Sequence, residues 1–386
     1  MSERSGLHLI VFSDTFFEIN GVRTFYRTLL DWCRRTNYAR VTVICPEPSH
    51  LNGHQVPENV IPIRPLGRFR EPLYNSFTLG HYPISMLRDL FNSLDGTKVI
   101  HVATSGPLGY AGSVLARRQR IPCVGCYNTD LPRYGGANGR KLFGRPGQWM
   151  GTKIMHWFDK FGYRYCDAMC VPSASAAQSA GMVFSGPIRV IPYPLDVDRF
   201  RPAPARTGSF RDRYGRNGAP LVAVIGRLGP EKNLDLVCRH MARDERINLV
   251  FVGDGAYAPV LRNRWNVTVT GFLHGQDLLE AYQQADVFVQ LSVTETFGLC
   301  LAEALACGLP SFVLKSPGLA ATLPPGEGIE VLEERELPTL TDRCVKLVAD
   351  GKRHEEASRR ARELVMPYSP DVVLPKFLDF HRSFAR

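Results

Sequence analysis

Glu295 and Glu303 lie eight positions apart in Thr294-Glu295-Thr296-Phe297-Gly298-Leu299-Cys300-Leu301-Ala302-Glu303-Ala304, a run closed by Gly308-Leu309-Pro310. The apolar segment Asp286–Gln290 before it reads as a buried strand, so residues 294–298 form a strand-to-helix loop. From Gly298 the apolar positions Leu299, Leu301, Ala302, Leu305 and Ala306 suit a helix, which Gly308 and Pro310 stop. Amides around Phe297, Gly298 and Leu299 then lack intrahelical partners and present the positive end of the helix dipole. Helical side chains lean toward the N-terminus, so Glu303 leans toward the mouth that Glu295 lines. Two carboxylate acceptors beside clustered N–H donors suit a ligand rich in hydroxyls and phosphate. A lone pair of glutamates at this spacing is ordinarily a cap and a solvated side chain; the surrounding residues favour the site.

The elements that hold this loop follow a repeated rhythm. In the first half, Leu7–Phe12, Val41–Cys45, Val99–Val102, Ile121–Tyr127 and Ala168–Val171 read as strands. Asn20 caps a helix with Val22, Phe25, Tyr26, Leu29, Leu30 and Cys33 at helical spacing. Pro192, Pro194, Pro202 and Pro204 mark a linker over 191–208. Strands resume at Leu221–Ile225, Asn248–Val252, Val267–Thr270, Asp286–Gln290 and Ser311–Leu314, with helices starting near Asn233, Ala256, Gln276 and Gly298. Alternating strands and helices imply parallel sheets covered on both faces. The expected fold class is α/β, with two doubly wound domains facing across a cleft, over residues 1–190 and 209–368. Ligands of such sheets bind beyond the carboxyl ends of the strands.

These motifs, taken in order, resemble those of the retaining nucleotide-sugar glycosyltransferases of family 4, which have the GT-B fold of two Rossmann-like domains. The resemblance spans almost the whole chain. It rests also on Phe12-Ser13-Asp14-Thr15-Phe16, Asn20-Gly21-Val22, the run from His101 to Gly109, and Asn128-Thr129-Asp130-Leu131-Pro132-Arg133-Tyr134. Gly226-Arg227-Leu228-Gly229-Pro230-Glu231-Lys232-Asn233 and Val252-Gly253-Asp254-Gly255 complete it. The resemblance implies that Arg227 and Lys232 grip the donor diphosphate, which removes the need for a metal or other cofactor. It implies that Glu295 contacts the transferred sugar, that the Phe297–Leu299 amides support sugar and phosphate, and that Glu303 accepts from the ribose hydroxyls. Gly21, at a helix start after the first strand, lets backbone N–H approach phosphate. Gly253 either shapes the site or touches the donor, and backbone around Thr270-Gly271-Phe272 meets the base. The resemblance also implies that residues 369–386 cross back to the first domain.

Two departures stand out. Asn128 occupies a position where many relatives carry histidine; asparagine donates and accepts hydrogen bonds but shuttles no proton. Because the leaving phosphate can itself take the acceptor proton, activity survives this change, and Asn128→His is expected to leave a competent enzyme. Asp130 is the nearest alternative base and His101 a further one. Lys315-Ser316-Pro317-Gly318 replaces the paired glycines common in relatives. Asp196-Val197-Asp198 imitates a metal-binding D-x-D motif, but it lies in the linker rather than at a strand end.

Composition sets the rest. With 386 residues, 44% of them hydrophobic and 22% charged, the chain suits two domains, and no apolar run approaches the roughly 20 residues of a membrane span. Its ten cysteines lie mostly in apolar patterns, as reduced buried thiols do. Cys123 and Cys126 fall in one strand with opposite pleat parity, which disfavours a zinc site with Cys166 and Cys170. A cytoplasmic location is expected, at the inner membrane face if the protein docks there. Residues 1–190 hold 22 Lys and Arg against 12 Asp and Glu, while 191–386 hold 25 against 25, so the net +10 belongs to the first half. Seven basic residues and one acidic lie from Arg133 to Arg164, interleaved with Phe143, Trp149, Trp157, Phe158 and Phe161. That mixture suits an anionic membrane surface, each basic residue contributing about 1 kcal/mol; an ordinary solvated helix face suits it equally. No nucleic-acid recognition motif accompanies the charge.

The sequence therefore points to a hexosyltransferase that uses a UDP- or GDP-linked donor. The expected acceptor is a lipid; a soluble or polysaccharide acceptor, and an inactive nucleotide-sugar-binding protein, remain as alternatives.

Overall fold

Runs of β-branched and aliphatic residues form the centres of two parallel sheets. The computed structural model describes residues 6–18, 20–47, 56–71, 74–229, 232–265, 267–293, 295, 297–316 and 326–385, with backbone alone at 68–71, 74–79, 134, 137, 138, 141 and 142. The chain divides into two units, Met1–Pro194 with Pro370–Arg386, and Leu195–Ser369. Part of the expected linker thus belongs to the second unit.

In the first unit the chain runs β1 (Leu7–Phe12), α1 (Gly21–Thr36), β2 (Arg40–Pro46), β3 (Val60–Ile63), an antiparallel hairpin β4 (Leu66–Glu71) and β5 (Tyr74–His81), and α2 (Ile84–Asn92). There follow β6 (Thr97–Val102), α3 (Pro107–Gln119), β7 (Cys123–Cys126), α4 (Leu131–Gly162), β8 (Ala168–Val171), α5 (Ala174–Gly181) and β9 (Ile188–Val190). The sheet order is β3-β2-β1-β6-β7-β8-β9, every pair parallel. All six residues of β1 are buried, as expected for a strand covered on both faces. The order reverses between β1 and β6. There Asp14, just past β1, accepts from the Leu108 and Gly109 amides at 2.8 and 3.1 Å and from the Thr104 hydroxyl at 2.7 Å. It thereby caps α3 from another loop. Burial pushes its carboxyl up from the ordinary range, against these three hydrogen bonds.

The continuous helical span α4 is in fact two helices. Gly144 has φ +64 and Phe143 leaves the helical region, so the chain folds back on itself. A Cβ on Gly139 would meet the Gly147 carbonyl oxygen at 2.1 Å, and one on Gly151 the Gly135 carbonyl oxygen at 2.3 Å. Glycine at these four positions is what lets the two backbones touch, the device that draws helices together in membranes.

The second unit runs α6 (Ser209–Tyr214), β10 (Leu221–Ile225), α7 (Leu234–Met241), β11 (Asn248–Val252), α8 (Ala258–Trp265), β12 (Thr268–Val269) and α9 (Gly275–Gln284). It continues with β13 (Val287–Gln290), α10 (Leu299–Ala306), β14 (Ser311–Leu314), β15 (Ile329–Leu332), α11 (Leu340–Ala349) and α12 (Gly351–Val365). Its parallel sheet has the order β12-β11-β10-β13-β14-β15, which reverses between β10 and β13. The last helix, α13 (Pro370–Arg382), belongs to the first unit. There Trp32 Nε1 donates to Asp371 at 2.6 Å, and Phe25 and Phe377 rings meet edge to face.

Candidate functional site

The reversal between β10 and β13 puts the loops Gly226–Gly229 and 291–298 side by side at one sheet end, where doubly wound sheets take their ligands. Gly226, Gly253 and Gly255 all have strongly positive φ, between +141 and +151. A Cβ on Gly253 would lie 1.9 Å from the Gly226 carbonyl oxygen, and one on Gly255 2.6 Å from that of Leu228. The backbone of Leu228 also accepts from Tyr257 and donates to the Asp254 carbonyl. Gly253 therefore holds the Arg227 loop by close backbone approach, a shaping role.

Across the reversal, Lys232 Nζ and Glu295 form an ion pair, with the two side chains 24% and 18% exposed. Burial opposes ionisation of Glu295. The Lys232 ammonium, a hydrogen bond from Ser292 and the field of Arg227 overcome it, so the carboxyl lies below the ordinary glutamate value. Asn233 adopts a left-handed backbone (φ +55) and its Nδ2 donates to the Leu291 carbonyl at 3.0 Å, tying the two loops together. Arg227 is exposed beside them.

Gly298, at φ +83, precedes α10, and among the described residues no side-chain cap hydrogen bond is made at that helix start. The amides of its first turn are consequently offered to a ligand. One turn in, Glu303 Oε2 accepts from the Tyr282 hydroxyl at 2.8 Å. Desolvation pushes its carboxyl up to about 7, only partly countered by Tyr282 and by Arg199. Phe297 is buried against Tyr368, ring centroids 5.6 Å apart, so its backbone rather than its ring serves the loop. Beside the sheet, Gly271 bridges to Gly253, and Phe272 is 43% exposed.

Of the expected donor-site residues, the second unit thus assembles Arg227, Lys232, Gly253, Glu295, Phe297, Gly298, Leu299 and Glu303 around one sheet end. Sequence reasoning missed Ser292, Tyr282 and Arg199, none of which belongs to a recognisable spacing, and read Asn233 only as a helix start within the Gly226–Asn233 motif. Thr294, Thr296, Pro230, Glu231, Pro317 and Gly318 lie outside the described residues.

The first unit places its candidates differently. Gly21 opens α1, where Asn20 Oδ1 accepts from the Arg23 amide at 2.9 Å. Asp130 caps α4: Oδ1 accepts from the Arg133 amide at 3.0 Å and Oδ2 from the Ser179 hydroxyl at 2.7 Å. Asn128 is 7% exposed and fully engaged inside the unit. Its Nδ2 donates to the Ala103 carbonyl at 2.8 Å, and its Oδ1 accepts from the Tyr193 hydroxyl at 2.6 Å and the Cys126 thiol at 3.1 Å. Nothing in that arrangement resembles an exposed proton acceptor. His101 is buried between Tyr26 and His381, which makes it structural. Cys123 and Cys126 have separate partners, Cys166 Sγ at 3.7 Å and Asn128, as their pleat parity requires. The ligand atoms of His101, Cys126 and Cys170 do gather within 4.8 Å. Each, however, is held by hydrogen bonds to protein groups. Asp196 accepts from the Arg199 amide at 3.0 Å in a turn, not at a strand end.

In α4, Phe143, Trp149, Met150, Ile154 and Trp157 are 48–67% exposed among the exposed Arg140, Arg145, Lys153 and Lys160. No helix among the described residues is long and apolar enough to cross a membrane.

Comparison with known proteins agrees with this geometry. The family Glycosyl transferases group 1 matches residues 208–364, and Glycosyltransferase Family 4 matches residues 19–199. A GDP-mannose-dependent alpha-mannosyltransferase of Mycobacterium tuberculosis (strain CDC 1551 / Oshkosh) is 31% identical over 98% of this chain and 97% of its own. An alpha-monoglucosyldiacylglycerol synthase of Streptococcus pneumoniae (strain ATCC BAA-255 / R6) is 24% identical over 80% of this chain and 71% of its own. Among solved structures, sucrose-phosphate synthase from Thermosynechococcus elongatus superposes with a TM-score of 0.75 at 16% identity, covering 98% of both chains. The chain is a GT-B glycosyltransferase and belongs to glycosyltransferase family 4.

Proposed function

We propose that this protein is a retaining, metal-independent hexosyltransferase that moves a hexose, mannose first among candidates, from a GDP- or UDP-linked donor to a hydroxyl of a membrane lipid. The Lys232–Glu295 ion pair beside Arg227 carries the reading. It stores a cation and an ionised acceptor at an uncapped helix start, the combination that a sugar diphosphate needs. In the reaction the acceptor oxygen bonds to the anomeric carbon while that carbon's bond to the phosphate oxygen breaks on the same face. The departing phosphate oxygen takes the acceptor proton. Arg227 and Lys232 meet the charge that gathers on the phosphate, so they stabilise the transition state more than the ground state. Glu295 accepts from sugar hydroxyls and Glu303 from the ribose.

The lipid side of the reading is supported by the α4 hairpin, where exposed tryptophans alternate with cations as in interfacial helices. The names of the mannosyltransferase and of the monoglucosyldiacylglycerol synthase support the donor and a lipid acceptor. The test is a transfer assay with GDP-mannose and UDP-glucose on lipid vesicles, with and without EDTA. Turnover that survives EDTA and gives an α-linked glycolipid is the expected result. Turnover lost to EDTA and restored by Mg²⁺ or Mn²⁺, or a product of inverted configuration, would overturn it.

A further inference from the structure

Gln290 ends β13, paired with Val313 of β14, at the strand end where the donor site assembles. It shares a sheet face with Phe288, while Val287 and Val289 pack into the core on the other face. The residue is 9% exposed, and its Nε2 is buried with no hydrogen-bond partner among the described residues. Such a group is uncommon, because a buried amide that donates nothing gives up the hydrogen bonds it had with water. A leucine or methionine would fill the same volume without that loss, so packing alone does not explain glutamine here.

The direction of the amide explains it better. Nε2 lies 3.8 Å from the point that a Cβ on Gly298 would occupy. Gly298 precedes α10 in a left-handed conformation, and a Cβ there would be in ordinary contact with Gln290 Nε2 and with Leu301 Cβ, each at 3.8 Å. The unpaired donor thus abuts the residue that precedes the first-turn amides of α10. Donors from a helix start and from a side chain, set side by side, suit an anionic oxygen. We propose that Gln290 donates a hydrogen bond to a phosphate oxygen of the donor's diphosphate, and so positions it against Arg227 and Lys232. The proposal rests on the transferase reading above. It gives Gln290 a positioning role: its amide is left unsatisfied in the free protein and is satisfied only by the ligand.

The test uses the full chain as wild type, Gln290→Met, which keeps the volume and removes the donor, and Gln290→Glu, which keeps the shape and offers only acceptors when ionised. Thermal midpoints without ligand and calorimetric affinities for GDP, UDP and the corresponding nucleotide sugars are measured. Gln290→Met is expected to be as stable as wild type or more so, yet to bind the nucleoside diphosphate about 10- to 100-fold more weakly, the range for one hydrogen bond to a charged oxygen. Gln290→Glu should bind more weakly still. A Gln290→Met protein that binds within twofold of wild type would overturn the proposal and leave the transferase reading intact. So would a loss seen with the nucleotide sugar alone, since the contact would then be to sugar. A wild-type protein that binds neither nucleotide would overturn both.

Discussion

Glu303 offers the most quantitative check on the donor site, because its carboxyl titrates near neutrality. Desolvation raises it to about 7 in the free protein, from an ordinary value of 4.5. Its Oε2 already accepts from Tyr282, so two ribose hydroxyls can be received well only by the ionised form, which has acceptor capacity on both oxygens. Ligand binding should therefore favour ionised Glu303 and release protons. Above pH 7 the group is ready; below it, each unit of pH should cost about 1.36 kcal/mol, or tenfold in affinity. Between pH 8 and pH 6 the ionised fraction falls from roughly 0.9 to roughly 0.1, so the dissociation constant should rise about tenfold. A nucleotide sugar is the right probe, since its diphosphate carries no ionisation of its own in this range. Titration calorimetry in buffers of different ionisation enthalpy should show about half a proton released at pH 7. Glu303→Gln should bind weakly and show no slope. The same shift has a stability consequence of opposite direction. The folded form binds the proton more tightly than the unfolded chain, so the contribution of Glu303 to stability without ligand, read as the difference between wild type and Glu303→Gln, should fall as pH rises from about 4.5 to 7, then level off. A wild-type affinity that is flat from pH 6 to 8, or a slope that persists in Glu303→Gln, would refute the reasoning.

Three further predictions follow from single features. Arg227→Ala should reduce kcat/KM by about 10²–10³, the loss of one charge-matched donor in the transition state, and turnover within tenfold of wild type would sink the diphosphate assignment. Gly253→Ala places a methyl 1.9 Å from the Gly226 carbonyl at a φ that side chains avoid; both thermal midpoint and donor affinity should drop, and a wild-type value for each would remove Gly253 from the Arg227 loop's support. Trp149→Ala and Trp157→Ala, at sites 67% and 65% exposed, should weaken binding to anionic vesicles without lowering the midpoint, and the remaining binding should fall with salt. Equal affinity for neutral and anionic vesicles would make α4 a solvated face.

Much of the second unit was legible because its strands are short apolar runs bounded by glycine or proline: Leu221–Ile225 and Asn248–Val252 run into Gly226 and Gly253, Ser311–Leu314 follows Pro310, and all three have the bounds read from the sequence. The glutamate pair was legible for the same reason, since loop and helix start were set by Gly298. Most edge elements were not, although the edge strand read as Val267–Thr270 is present, shortened to Thr268–Val269. β3, the β4–β5 hairpin, β9 and β15 lack a long apolar run because each lies at a sheet edge or outside the sheets. Ile121–Tyr127 shortened to Cys123–Cys126, as side chains past the strand turned to other partners, the Tyr127 hydroxyl toward Asp130. The fold-back inside α4 was missed because Gly144 sits in a glycine-rich stretch whose other glycines remain helical; only the helix-to-helix backbone contacts distinguish them. Gln290 was read as an ordinary strand residue, since its unmet amide is a property of the packed state.

The position that departs from its relatives deserves a different expectation once its surroundings are known. His381 Nδ1 faces the Phe377 carbonyl at 2.7 Å, which can only accept, so that nitrogen carries the proton and Nε2 accepts. His101 Nδ1 then donates to His381, 2.8 Å away, and His101 Nε2 accepts from the Tyr26 hydroxyl at 2.6 Å. Asn128 stands at the other end of this relay, against Tyr26 as well as Tyr193 and Cys126. Every member is neutral, and burial holds both imidazoles below their ordinary range, His381 at about 4. The contribution of these two imidazoles to stability should accordingly decline as pH falls from about 6.5 toward 4, where the unfolded chain binds protons that the relay refuses. A carboxamide oxygen receives two donors while its nitrogen gives to Ala103; a neutral imidazole has one acceptor and one donor and cannot do this. Asn128→His, which resemblance alone makes harmless, should then strand the Tyr193 hydroxyl or the Cys126 thiol and cost about 1–3 kcal/mol of stability. Asn128→Ala should cost a similar amount. Chemical denaturation of both variants measures the loss, and the rate against pH should keep the wild-type profile at temperatures where they remain folded. A stable Asn128→His protein whose rate gains a new ionisation near 6–7 would place residue 128 beside the reacting carbon and refute the structural role argued for it.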